Sequence, residues 1–160
     1  CCAVIPGSEE PMGCNECAAY NFARSSQVDC DMLRELSTHE SSSIRATVAR
    51  NEHVPVDVLE QLASDEGWQA RSGVARSEQA PASALEKLAR DEDWWVRMHA
   101  ASNPSTPADS LALLASDEQD EVRKAAASNP STSPEVLIRL LKDESVLVRE
   151  AARRNPNTSL

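Results

Sequence analysis

Glycine is scarce in this chain: four in 160 residues, at Gly7, Gly13, Gly67 and Gly73. That scarcity excludes a glycine-rich phosphate loop and a nucleophile elbow, both of which need glycines clustered at a tight turn. No cysteine occurs after Cys30. No apolar run approaches the roughly 20 residues that cross a bilayer, and none reads as a signal peptide, so no membrane partner is expected. Bases are outnumbered, with 16 Lys and Arg against 26 Asp and Glu, a net charge of −10. Repeat proteins that bind nucleic acid need a basic stripe to displace counterions from phosphate. No stripe is visible, which argues against nucleic acid, though a local basic face can hide within an acidic total. His39, His53 and His99 share no spacing suited to a ligand. Nothing supports side-chain catalysis, and an enzyme is not expected.

What is present is a 26-residue beat. Leucine returns at Leu33, Leu59, Leu85, Leu111 and Leu137, and three places on at Leu36, Leu62, Leu88, Leu114 and Leu140. Arginine keeps the same count at Arg45, Arg71, Arg97, Arg123 and Arg149, and glutamate at Glu40, Glu66, Glu92, Glu118 and Glu144. Fixed self-similarity at this length marks a solenoid whose units bury their apolar faces only against each other. Residues 103–128 show the grammar of one unit. Asn103-Pro104 closes the previous unit, with Asn suited to a left-handed stop and Pro unable to continue a helix. Thr106-Pro107 with Asp109 predicts a helix start, Thr as N-cap and Pro at the first helical position. Leu111 and Leu114 follow, then the polar corner Asp117-Glu118-Gln119-Asp120, which supplies a second start. Val122 and Ala126 come at a spacing of four. Each unit therefore holds two short helical segments and no strand. The spacing of three leans towards a 3₁₀ helix for the Leu pair, and the spacing of four towards an α-helix for the Val-Arg segment.

This pattern resembles the leucine-rich repeat variant family, seen at Leu111, Leu114, Ala115, Asp117, Val122, Arg123, Ala127, Asn129, Pro130 and Thr132. The resemblance covers residues 33–160, five units and the start of a sixth. It implies an all-α fold: a right-handed superhelical solenoid in which α-helices alternate with 3₁₀ helices, with no β-sheet. With Cys rather than Met at residue 1, and a sixth unit opening at Asn155-Pro156 and stopping at Leu160, a piece of a longer chain is expected.

All five cysteines, Cys1, Cys2, Cys14, Cys17 and Cys30, fall in the first 30 residues, which sets residues 1–32 apart as a small cysteine-rich cap. Five is odd, and the adjacent Cys1-Cys2 pair is strained as a disulfide. Cys14-x-x-Cys17 is a metal-ligand spacing, and ligand counting leaves zinc and an iron–sulfur cluster both open. Some leucine-rich repeat variant proteins carry an N-terminal cysteine-rich [4Fe–4S] domain, and the resemblance implies one here. Its ligands are expected to be Cys14, Cys17 and Cys30 with Cys2, or Cys1 in its place; zinc is the alternative. Thiolate ligation favours a reducing compartment, so the cytoplasm is expected.

Two surface features remain. The arginine ladder is either an anion groove or a set of ion pairs with the corner acids, and the shared register of Asp and Glu favours pairing. Trp68 and Trp94, one repeat apart, either cover helix corners or form a patch for a partner. A protein partner is expected, since repeat arrays offer extended faces.

Overall fold

Two apolar residues three apart, a polar corner and a second apolar pair four apart give one helical hairpin per 26 residues, and the structure repeats it along the chain. The computed structural model describes residues 14–25 and 29–158, with side chains from Ala18 onwards. It divides between Gln79 and Ala80 into two units. The first contains α1 (Cys14–Arg24), α2 (Cys30–Leu36), α3 (Ser42–Ala49), α4 (Val56–Leu62) and α5 (Trp68–Ala75). The second contains α6 (Ala82–Leu88), α7 (Trp94–Ser102), α8 (Ala108–Leu114), α9 (Asp120–Ser128), α10 (Pro134–Leu140) and α11 (Val146–Arg154). Among the described residues there is no strand, as the absence of period-two alternation requires.

The Val-Arg helices stack on their own kind: α3 on α1 and α5 in the first unit, α9 on α7 and α11 in the second. The Leu helices flank that stack. Leu59, Leu85, Leu111 and Leu137 are fully buried, as are Val96, Val122 and Val148. Burying each such leucine contributes about 2–3 kcal/mol, which offsets the instability of seven-residue helices in isolation. Alanines at 100, 101, 126, 127 and 152 are fully buried where helices meet. Gly73 marks the closest approach. A Cβ there would lie 2.7 Å from the Ala46 carbonyl oxygen of α3, so only glycine lets α5 pack at that distance.

Three expectations are corrected. The Leu segments are α-helices, not 3₁₀. In α4 the bonds Leu59 N–H to Pro55 O (3.2 Å) and Ala63 N–H to Leu59 O (2.9 Å) span four residues. The tighter three-residue closure appears at the two termini, Val58 to Pro55 where the helix starts and Ser64 to Gln61 and Asp65 to Leu62 where it finishes. A spacing of three points two leucines to one side of either helix type, so it did not discriminate.

Thr106 does not cap the helix that follows; Pro107 holds that N-cap position. The Thr106 hydroxyl instead donates back to the Ala100 carbonyl of α7 at 2.6 Å, and Thr132 does the same to Ala126. Nor do the asparagines stop helices by turning left-handed: Asn103, Asn129 and Asn155 are extended, with φ near −70°. Their role is carried by the side chain. Asn129 Oδ1 accepts from Ser131 N–H, while its amide donates to Ala101 O and Asn103 O of the preceding repeat, each at 2.8 Å. Asn155 repeats the pattern on Ala127 and Asn129.

Candidate functional site

The first candidate is the arginine ladder. Arg123 forks onto Asp143 of the next corner at 2.8 and 3.0 Å, while its remaining amino group donates to Asp117 O and Glu118 O of its own corner. Arg97 treats Asp117 in the same way at 2.6 and 3.0 Å, and Arg45 treats Asp65 at 2.7 and 2.7 Å. The aspartates have a second task, each accepting the N–H two residues on, as Asp117 does from Gln119 and Asp143 from Ser145. Hydrogen bonds donated to Asp65, Asp117 and Asp143 raise the pKa of Arg45, Arg97 and Arg123 above the ordinary arginine value. The Arg123 bonds hold the Asp143 carboxyl below its usual range. For Asp117, burial pushes upward, but Arg97 and the Gln119 amide outweigh it and the net shift is down. Both partners of the Arg123–Asp143 pair are nearly buried. These three guanidiniums are committed to the fold, which favours ion pairing over an anion groove at Arg45, Arg97 and Arg123.

The second candidate is aromatic. Trp94 and Trp95 open α7 and are both partly exposed. Their rings meet edge to face at 5.3 Å, and Trp95 meets the His99 ring in the same manner at 5.2 Å. Trp68 opens α5 in the first unit and is 43% exposed. A groove of about 340 Å³ runs between α7 and α9, lined by Met98, Ser102, Glu121, Lys124, Ala125 and Pro130. Its mixed lining suits a peptide side chain better than a small charged ligand.

The cysteines fall mostly outside the described residues. Cys1 and Cys2 lie there, and for Cys14 and Cys17 only the backbone of α1 is described. That backbone puts them one helical turn apart at the start of α1. Cys30 opens α2, exposed, with its Sγ 4.0 Å from His53 O. It stands at the far end of α1, where Asn51 donates to Ala23 O at 2.7 Å and to Ser25 O at 3.0 Å. At about 1.5 Å of rise per residue, the Cys17 backbone and that end lie roughly 10 Å apart. Among the described residues no group of three or more His, Cys, Asp or Glu is placed to hold a metal.

A feature missed in the sequence lies in the first unit. Arg24, Arg50 and Arg76 keep the 26-residue beat and stand exposed at the ends of α1, α3 and α5. The signal was available, but Ser102 and Ser128 interrupt it further along.

The described residues define an all-helical repeat protein. Residues 44–67 and 94–119 match the family described as "Leucine rich repeat variant". A solved structure described as a leucine-rich repeat variant with a novel repetitive protein structural motif is similar at 31% identity, with a TM-score of 0.68. The match covers 89% of this chain and 57% of that one, so the chain spans little more than half of its relative's length. No curated protein matches. No helix among the described residues is long and apolar enough to cross a membrane.

Proposed function

We propose that the chain is a protein-binding module, in which stacked helical repeats supply a rigid face and exposed side chains supply recognition. The observation that carries this reading is the division of labour within each repeat. Arg, Asp, Asn, Leu and Ala at fixed positions are consumed by stacking, while residues such as Trp94 and Trp95 vary from repeat to repeat and stay accessible. Repeat arrays put their specificity into such positions. Reconstitution tests it: proteins captured from the source cells by the whole chain are purified and mixed with it at defined stoichiometry. A stable complex with one of them is expected; no complex with any purified candidate overturns the reading.

The finer part of the proposal is a [4Fe–4S] cluster held in the cytoplasm by Cys14, Cys17, Cys30 and Cys2 or Cys1. Its support is the confinement of all five cysteines to the first 30 residues and the Cys14-x-x-Cys17 spacing. Thiolate ligation would tie this segment down and give it either an electron-transfer or a stapling role. Protein prepared without oxygen should contain iron and sulfide in equal amounts and absorb near about 400 nm. Colourless protein with one zinc, or with no metal, defeats the cluster.

A further inference from the structure

Three arginines stand side by side in the first unit of a chain that carries ten more acids than bases. Arg24 closes α1, and Arg50 and Arg76 are the C-caps of α3 and α5. Because α3 packs against both α1 and α5, their guanidiniums form a column across three adjacent helix ends. Partial burial, then the charges of Arg76 and Arg24, push the Arg50 pKa below the ordinary arginine value, with Tyr20 acting the other way. Tyr20, itself buried, carries the Arg24 guanidinium over its ring at 5.7 Å.

Among the described residues, no carboxylate pairs with any of the three arginines. Glu52, two residues beyond Arg50, lies against His53 at 3.7 Å. A helix C-terminus favours a nearby cation, and that explains one arginine at a time. It does not explain three like charges held together without a counter-charge. The contrast is with the ladder residue Arg45 in the same unit, which the fold supplies with Asp65 at 2.7 Å. At Arg45, Arg97 and Arg123, where a guanidinium joins one corner to the next, the fold provides a carboxylate.

We propose that this column docks an anionic segment of the partner protein, extended as a polyproline-type helix, with Asp, Glu or a phosphorylated residue at every third position. The proposal rests on the protein-binding reading and names the chemistry of the partner. Spacing favours this conformation. Packed helices lie about 8–10 Å apart. A polyproline helix returns to the same face every three residues, after roughly 9 Å. One anion then meets each arginine in turn. A pleated strand would turn the next-but-two side chain to its opposite face.

Fluorescence anisotropy with a labelled peptide repeating Glu-Pro-Pro tests this against the whole chain. Binding is expected at low salt and should weaken as salt screens it. The Gln-Pro-Pro counterpart should not bind, and an isomer with its glutamates run together should bind several-fold more weakly. A phosphoserine version that binds more tightly assigns the site to phosphorylated partners; equal or weaker binding assigns it to Asp and Glu. Arg50→Glu should weaken binding about tenfold or more, whereas Arg50→Gln should keep the wild-type melting temperature and Lys142→Gln should change neither property. Equal binding of the run-together isomer, or no effect of Arg50→Glu, overturns the proposal. So does tighter binding of oligothymidylate than of either acidic peptide, which would assign the column to nucleic acid. If the peptides fail while the reconstituted partner complex survives Arg50→Glu, this inference falls and the protein-binding reading stands. If no partner complex forms either, that reading falls with it.

Discussion

At the scale of the residue, the most consequential side chain is an asparagine. Asn129 satisfies three backbone groups at once: Ser131 N–H, Ala101 O and Asn103 O. All are taken from water, and no other side chain of its size both donates twice and accepts in that geometry. Asn129→Asp should lower unfolding free energy by about 2–4 kcal/mol, because a carboxylate puts charge against two buried carbonyls. A loss below about 0.5 kcal/mol in urea would show that water replaces the amide. The corner aspartates set the acid limit. The folded pKa values of Asp117 and Asp143 are depressed, so their contribution is present above the unfolded carboxylate pKa of about 4 and is lost as pH falls through the folded value. The raised arginine pKa values contribute fully at every pH below the ordinary arginine value and add no dependence near neutrality. Stability should be flat from about pH 6 to 8 and fall below about pH 4; Asp143→Asn should flatten that acid limb.

The element scale decides how closely helices stack, and one glycine shows it. On propensity alone, Gly73→Ala within α5 would stabilise by about 1 kcal/mol. The Ala46 backbone oxygen stands where the new methyl must go, and a helix backbone cannot swing aside as a side chain tip can. The net effect should be destabilising by about 1–3 kcal/mol. A rise in melting temperature would mean that α3 and α5 separate without penalty. The leucine pairs, the two segments per repeat and the Arg–Asp partnership were legible in the sequence, because each leaves a residue type at a fixed count. Helix type was not, since Leu59 and Leu62 face one way in either helix. The tasks of Asn129 and Thr106 were also hidden. Their hydrogen bonds reach into the preceding repeat or back across a turn, and the residues themselves look like ordinary turn formers.

For the whole molecule, the cysteine-rich composition concealed how the start of the chain meets the repeats. Asn51 makes on Ala23 and Ser25 the bonds that Asn129 makes on Ala101 and Asn103, so α1 occupies the place of a preceding Val-Arg helix. Deleting residues 1–32 should leave the remaining repeats helical while uncovering the α3 face and two donors of Asn51. Analytical ultracentrifugation should then show self-association, with a lowered melting temperature. A monomer with unchanged melting would mean that α1 contributes nothing to the stack. The site was less legible than the fold for a related reason. Stacking residues repeat and declare themselves, whereas recognition residues such as Trp95 and Arg50 differ from one repeat to the next or stop partway.

Within the second unit, repeats are joined by a backward-reaching asparagine amide and a forward-reaching arginine fork: Asn129 into the turn before it, Arg97 onto Asp117 in the corner after it. A repeat is thus a word with matching joints at both ends. Excising or duplicating one whole word rejoins the same plug to the same socket, while gaining or losing a single letter inside it leaves both joints facing nothing. Such a chain is free to change length over time, but only in steps of one complete word.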